Sequence, residues 1–228
     1  MKEISVLFIG NSYTFYNTMP TALFQPMTES VGYRARVEAI TKGAYRLSQF
    51  ANPEDAQGAR VDAALAEVGR YDFVVLQEQS LAPAAKDASG FFGAVRKLVA
   101  KIRDTGATPM LYATWGRKAG HDALAKNGWT SEVMTERLAK AYQAAGDEAG
   151  AAVAQVGLAF REIYTSELGI ELYNDDLSHP SYAGSYLAAA VLAARMLSID
   201  PTEIAFFGEL SETEAKQLLA AARNAAAK

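Results

Sequence analysis

Short apolar runs alternate along the chain with longer amphipathic stretches that are rich in alanine. The first run, Ile4–Ile9, has no charged residue, which is typical of a strand buried on both faces of a parallel sheet. Alternation of this kind predicts an α/β protein built from βαβ units. The pattern predicts strands at Ile4–Ile9, Arg34–Ile40, Tyr71–Leu76, Thr108–Ala113 and Ala152–Val156. It predicts helices at Pro20–Val31, Asn52–Val68, Ala88–Thr105, Thr130–Ala149, Leu158–Leu168, Ser181–Leu197 and Ser211–Ala226.

The composition narrows the class of protein. With 228 residues, half of them hydrophobic, the chain can bury a core within one domain spanning residues 1–228. The formal net charge of −4, without a cluster of lysine and arginine, disfavours a nucleic-acid partner or an anionic membrane surface. The sequence has no cysteine and only two histidines, His121 and His179, so we expect no metal and no cofactor.

The N-terminal residues enter the first strand without the pattern of a secretory signal peptide. No apolar run is long enough to span a bilayer. We therefore expect a cytoplasmic protein, although a recombinant Met1 can also stand in place of a removed leader. Nothing in the sequence sets the oligomeric state.

The first strand ends at Gly10-Asn11-Ser12, where chemistry is expected. Glycine and asparagine allow a sharp turn, and the turn delivers the Ser12 hydroxyl to the edge at which open α/β sheets bind ligands. Ser12 is therefore a candidate nucleophile. The alternative is that Ser12 only caps the helix that follows, which is a common role for serine.

A second candidate lies late in the chain, in Asp176-Leu177-Ser178-His179, just before a predicted helix. A carboxylate three residues ahead of an imidazole can bind the ring nitrogen that faces away from a nucleophile and so hold the tautomer. The alternative is a surface turn with an incidental histidine. Together with Ser12, however, Asp176 and His179 complete the three groups that acyl transfer requires.

These residues resemble a known family. Gly10-Asn11-Ser12 near the N-terminus and Asp176-x-x-His179 near the C-terminus are similar in order and context to the SGNH hydrolases, also called GDSL esterases and lipases. The resemblance implies a flavodoxin-like, three-layer α/β/α fold with Ser12 as nucleophile, His179 as base and Asp176 as acid. It also implies an oxyanion hole formed by the backbone N–H of Ser12, a glycine that matches Gly43, and an asparagine. Gly43 can otherwise be read as a plain turn glycine.

The sequence departs from the family where the asparagine is expected. After the third strand the chain reads Gln77-Glu78-Gln79-Ser80, and Gln79 aligns with the missing asparagine. A glutamine amide can donate the same hydrogen bond from one methylene further away. Gln77 lies on the same side by the two-residue period of a strand, so it remains an alternative donor.

Aromatic residues near the strand ends are candidates for the walls of a binding site. We expect Trp115, Tyr45 and Tyr13 to contact substrate, because carbohydrate rings and short acyl groups both pack against aromatic faces. The sequence has no long apolar connection of the kind a lipase lid requires. These features predict a serine esterase that cleaves acetyl or similarly short esters of a small polar or carbohydrate alcohol.

A binding protein is the rival interpretation. In it, Gly10-Asn11-Ser12 would hold a phosphate or nucleotide on backbone amides, as the loops of flavodoxin-like modules do. This interpretation gives no role to Asp176 and His179.

Overall fold

The computed structural model describes residues 1–226 and contains one parallel sheet of five strands, in the order β2-β1-β3-β4-β5. The two strands at one edge, β2 and β1, pair along nine residues each, whereas β3, β4 and β5 are shorter. The strands are β1 (Lys2–Gly10), β2 (Tyr33–Thr41), β3 (Phe73–Leu76), β4 (Thr108–Tyr112) and β5 (Ala152–Ala154).

Helices cover both faces of the sheet, which confirms the predicted three-layer α/β/α architecture. The helices are α1 (Ser12–Phe15), α2 (Gln25–Ser30), α3 (Leu47–Phe50), α4 (Ala56–Leu65), α5 (Ser89–Asp104), α6 (Asp122–Asn127), α7 (Ser131–Ala149), α8 (Val156–Tyr164), α9 (Tyr182–Leu197) and α10 (Glu212–Ala226). Within residues 1–226, none of them is both long enough and apolar enough to cross a membrane.

Strand β1 lies between β2 and β3 and contributes side chains to both hydrophobic cores. Val6 and Phe8 face the layer formed by α2, α8, α9 and α10, and Leu7 and Ile9 face the layer formed by α3, α4, α5 and α7. All four side chains are fully buried. The alternation follows from the two-residue period of a strand, and burial on both faces explains why Val6–Ile9 is entirely apolar.

One predicted helix differs from the structure in an informative way. The predicted helix Pro20–Val31 consists of a wider π-helical turn over Met19–Phe24, followed by α2. Pro26 lies in the first turn of α2 and has no N–H to donate to the preceding turn, so the regular hydrogen bonding of an α-helix is interrupted there. The three short helices α1, α3 and α6 were not predicted.

The order in which the chain adds strands to the sheet changes side at β1. It moves from β1 to its neighbour β2, then crosses to β3 on the other side and continues to β4 and β5. The loops after β1 and its neighbours therefore diverge at this strand and leave a crevice at its carboxyl end. Gly10-Asn11-Ser12 lies at the mouth of this crevice.

Candidate active site

Asn11, and not Ser12, caps helix α1. The Asn11 side-chain oxygen accepts a hydrogen bond from the Tyr13 N–H at 3.2 Å, and its amide donates to the Tyr45 carbonyl at 2.9 Å. Ser12 is the first helical residue, so its hydroxyl is not needed for the cap. The interpretation of Ser12 as a helix cap is therefore wrong.

Gly10 allows the loop after β1 to lie against the loop after β3. A Cβ atom at Gly10 would lie 2.4 Å from Thr14 Oγ1 and 2.7 Å from Gln77 Oε1. Both distances are far below van der Waals contact, so any larger residue would push the two loops apart. The glycine therefore fixes the position of the turn that carries Ser12.

The structure brings Ser12, His179 and Asp176 together. The Ser12 Oγ atom lies 2.8 Å from His179 Nε2, and His179 Nδ1 forms a hydrogen bond with Asp176 Oδ2. The other Asp176 oxygen accepts the N–H groups of Ser178 and His179 at 3.0 and 2.9 Å. The backbone of Leu177 has a φ of +60°, which turns the loop so that both N–H groups reach one carboxylate.

The environment keeps Asp176 ionised. Burial alone raises the pKa of this carboxyl group, but hydrogen bonds from the His179 ring and from the N–H groups of His179 and Ser178 outweigh it and hold the pKa below its ordinary value. An ionised carboxylate accepts a hydrogen bond from the Nδ1–H group, so the proton stays on Nδ1 and the lone pair of His179 Nε2 is directed at Ser12.

Aromatic rings hold the imidazole of His179 in place. Tyr16 stacks on it with ring centroids 4.3 Å apart and an interplanar angle of 9°. Tyr13 meets it edge to face at 5.6 Å. The ring is therefore fixed by two aromatic contacts and two hydrogen bonds, which is the rigidity a positioned base needs.

Glu78 ties together two loops of the site. Its carboxylate accepts the Gln79 N–H at 2.6 Å and the Leu47 N–H at 3.2 Å, and the side chain is almost fully buried. Leu47 follows the loop that contains Gly43, so this carboxylate connects the two predicted oxyanion residues, Gly43 and Gln79. Burial raises the pKa of Glu78 to about 7, and the hydrogen bonds offset only part of that rise.

We predict that Glu78 makes folding stability depend on pH. Its pKa is near 4.5 when unfolded and about 7 when folded, so the folded protein binds more protons between these values. Its contribution to stability is therefore present at low pH and is lost as the pH rises toward 7. In urea titrations, the free energy of unfolding should fall with pH more steeply than in Glu78→Gln, by up to about 1.4 kcal/mol per pH unit. Equal slopes in the two proteins would contradict this assignment.

The two candidate glutamines occupy different environments. Gln77 is fully buried, and its oxygen accepts the Asn11 N–H at 2.8 Å and the Thr14 hydroxyl at 2.9 Å while its amide donates to the Glu78 carbonyl. Gln79 faces the cavity that contains Ser12. Its oxygen accepts the N–H groups of Leu81 and Ala82, so its NH₂ group is left for a ligand. Gln79 therefore lines the cavity, whereas Gln77 does not.

The cavity beside Ser12 has a volume of about 470 Å³. Tyr13, Phe15 and Tyr16 give it an aromatic side, whereas Gln79 and Arg117 are polar. The full lining is Asn11, Ser12, Tyr13, Phe15, Tyr16, Gly43, Ala44, Gln79, Ser80, Arg117, Ser178 and His179. A larger cavity, about 840 Å³, opens at the other end of β1 and β2 and includes none of these residues.

Two of the predicted wall residues do not line this cavity. Trp115 is fully buried, stacked on Phe160 with ring centroids 3.9 Å apart and on Tyr13 at 4.6 Å. Its indole N–H donates to the Ser178 carbonyl at 3.1 Å, so Trp115 supports the site from the core. The Tyr45 hydroxyl turns away to Asp55, at 3.1 Å. Of the three predicted contacts, only Tyr13 lies at the cavity.

Sequence reasoning missed two parts of the site. Ser178 was treated only as a spacer between Asp176 and His179, yet its hydroxyl lies 3.0 Å from that of Tyr13 within the cavity. The linking role of Glu78 was also missed. The sequence did contain an indication of this role: Glu78 is a charged residue at the end of a buried strand. Charged side chains are rarely buried without hydrogen-bond or ionic partners.

Comparisons with known proteins extend these observations. No family model matches the chain, and no curated protein matches it either. Among solved structures, a candidate SGNH hydrolase from Slackia heliotrinireducens is 38% identical, with a TM-score of 0.73, over 86% of this chain and 100% of that one. A DUF4886 family protein from Bacteroides uniformis is 20% identical, with a TM-score of 0.83, over 98% and 95% of the two chains.

An acetyl xylan esterase from Geobacillus stearothermophilus shares the fold at lower identity. It is 15% identical, with a TM-score of 0.55, over 91% of this chain and 97% of that one. The Slackia protein is similar enough in sequence and coverage to establish the relationship by itself. The chain belongs to the SGNH hydrolase family.

Proposed function

We propose that the protein is a carboxylic ester hydrolase that works through an acyl-enzyme. Ser12 is the nucleophile, His179 the general base and acid, and Asp176 the residue that orients the imidazole. One observation carries the proposal: Ser12 Oγ lies 2.8 Å from His179 Nε2, while Asp176 holds the opposite ring nitrogen. A phosphate-binding module does not need this arrangement. The similarity of this chain to a candidate hydrolase also disfavours that interpretation.

The reaction follows from the positions of these groups. His179 Nε2 takes the proton of the Ser12 hydroxyl as Oγ attacks the carbonyl carbon of the ester. The tetrahedral intermediate collapses when the C–O bond to the alcohol breaks, and His179 gives its proton to that leaving oxygen. A water molecule, deprotonated by the same nitrogen, then attacks the acyl-serine, and the second collapse releases the acid and restores Ser12.

The negative oxygen of each intermediate needs hydrogen-bond donors. The backbone N–H groups of Ser12 and Gly43 make no hydrogen bond to other groups in residues 1–226, and both residues line the cavity. The free NH₂ group of Gln79 is the third donor in this proposal. Donors held in place before the charge develops stabilise the transition state more than the bound substrate.

We predict that Gln79→Ala lowers kcat by about 10²-fold with little change in KM, because an oxyanion donor acts mainly in the transition state. The matched control is Gln79→Glu, which keeps an oxygen for the N–H groups of Leu81 and Ala82 but has no NH₂ group. Both variants should be impaired in steady-state hydrolysis of p-nitrophenyl acetate. A fully active Gln79→Glu would mean that only the loop contact matters.

The proposed substrate is an acetyl or similarly short ester of a small polar or carbohydrate alcohol. The cavity, about 470 Å³, combines the rings of Tyr13, Phe15 and Tyr16 with the polar groups of Gln79 and Arg117. Aromatic faces suit a sugar ring or a short acyl group, and the polar groups suit hydroxyls.

A chain-length series tests this function. We expect kcat/KM for p-nitrophenyl esters to be highest for acetate or propionate and to fall steadily toward palmitate, because the cavity has room for a short acyl group beside an alcohol. Acetylated sugars should then be cleaved with release of acetate. Rates that rise toward the long chains would favour a lipase, and no hydrolysis of any ester would refute the proposed function.

A further inference from the structure

Arg117 is a buried cation in the wall of the catalytic cavity. It follows β4, is only 9% exposed, and lines the same cavity as Ser12 and His179. Its guanidinium carbon lies 5.6 Å from the centroid of the Tyr13 ring. The cation is therefore located where a bound substrate would meet it.

Every hydrogen-bond partner of Arg117 is uncharged. Nη1 donates to the Tyr13 hydroxyl at 2.5 Å and Nη2 donates to the Ser80 hydroxyl at 2.7 Å. The buried Nε has no partner among the described residues. No carboxylate in residues 1–226 lies within 4.0 Å of a nitrogen of this guanidinium.

The surroundings leave this positive charge without a counter-ion. No Asp or Glu in the described part of the chain lines the cavity, and the carboxylate of Asp176 is bound to the His179 ring. The positive charge of Arg117 also acts on His121. Burial is the largest cause that lowers the pKa of His121, and the charge of Arg117 is the next. Buried charges in proteins are normally paired, because removal from water without a partner is costly.

We propose that the substrate supplies the counter-ion: the ester cleaved at Ser12 carries a carboxylate that binds Arg117. A guanidinium has five N–H donors and at most two are used by Tyr13 and Ser80, so donors remain for an anion. A single uncompensated charge matches a monoanionic carboxylate better than a dianionic phosphate. The inference rests on the proposed esterase function and narrows its substrate class. The carboxylate can belong to the acyl part or to the alcohol part.

Substrate pairs that differ only in charge test the proposal. On the alcohol side, para-acetoxybenzoate is compared with para-acetoxybenzamide. On the acyl side, monoethyl glutarate is compared with the ethyl ester of glutaric acid monoamide. We expect kcat/KM to favour the carboxylate by about 10- to 100-fold in one pair, as charge-assisted hydrogen bonds imply, and the favoured pair identifies the side. Equal rates within both pairs would overturn the proposal.

Variants assign the preference to a residue. Arg117→Gln should reduce the ratio of charged to neutral substrate to near one, and Arg117→Lys should retain part of it. Lys118→Gln is the matched control, because Lys118 is the next residue, is paired with Glu171, and does not line the cavity. Its ratio should equal that of the wild type. A preference that survives in Arg117→Gln, or is lost in Lys118→Gln, would overturn the assignment to Arg117.

A binding measurement on the wild-type protein separates this inference from the proposed function. Amide analogues of both substrate pairs resist cleavage: para-acetamidobenzoate with para-acetamidobenzamide for the alcohol side, and N-ethylglutaramate with N-ethylglutaramide for the acyl side. Calorimetry can therefore compare the affinities within each pair without turnover and without any variant. Tighter binding of the carboxylate by about tenfold or more is expected. Equal affinities within both pairs, with neutral esters still hydrolysed, would refute the charged substrate but not the esterase. A carboxylate preference in a protein that cleaves no ester would refute the esterase alone.

Discussion

Ser12→Ala should reduce ester hydrolysis by about 10⁴-fold or more, because it removes the atom that forms the acyl-enzyme. The fold should survive the change. Asn11 caps helix α1 and Gly10 sets the turn, so the Ser12 hydroxyl has no structural role beyond its contact with His179. Hydrolysis of p-nitrophenyl acetate would give the loss of activity, and thermal denaturation would show an unchanged melting temperature.

Ser178→Ala is the matched control for this variant. Ser178 is a second serine at the same cavity, and its hydroxyl bonds to Tyr13 at 3.0 Å and not to the imidazole. Loss of that single neutral hydrogen bond should cost less than about tenfold in activity. A fluorophosphonate should label the wild type and Ser178→Ala at Ser12 and leave Ser12→Ala unlabelled. Most of the activity remaining in Ser12→Ala would exclude the serine mechanism.

The sequence predicted best those strands and helices that are long enough to show their own pattern of apolar and polar residues. Val6–Ile9 in β1 is a continuous apolar run because both faces of the strand are buried there, and the predicted end of the strand at Gly10 agrees with the structure. The helices α3 and α6 are only four and six residues long, which is too short for a 3.6-residue period to stand out. Their positions depend on tertiary contacts that a local pattern does not contain.

The side chains of the site divide in a similar way. Ser12, Asp176 and His179 were found because their residue types and order define a chemistry, and Asp176 and His179 meet within one short loop. The direction of a side chain after the end of a strand is a different matter. β3 ends at Leu76, so the two-residue alternation no longer holds, and Gln77 turns inward while Gln79 faces the cavity. Trp115 was misassigned for the same reason.

The burial of charged side chains was the hardest feature to predict from the sequence. Glu78 and Arg117 are both buried, although residues of these types are usually at the surface. Only the folded chain shows that Glu78 is satisfied by backbone N–H groups whereas Arg117 has neutral partners alone. The hydrogen bonds of Glu78 have a structural role, whereas those of Arg117 leave a positive charge that a ligand can neutralise.

His179→Ala should be nearly as damaging as Ser12→Ala, again about 10⁴-fold in kcat, because the serine hydroxyl then has no base. The double variant of Ser12 and His179 should lose little more than either single variant, since the two residues act as one unit. Single-turnover kinetics with p-nitrophenyl acetate would measure acylation directly. Additive losses in the double variant would show that His179 and Ser12 contribute separately.

Asp176→Asn tests the remaining member of the site, and its exposed neighbour Asp175 supplies the control. The asparagine oxygen can still accept the N–H groups of Ser178 and His179, so the loop should keep its shape. Its NH₂ group, however, would donate to His179 Nδ1 and force the proton onto Nε2, which then cannot accept the proton of Ser12. We expect kcat to fall by about 10²- to 10⁴-fold in Asp176→Asn, with Asp175→Asn close to wild type. If Asp175→Asn were the more harmful change, Asp176 would not be the residue that orients the base.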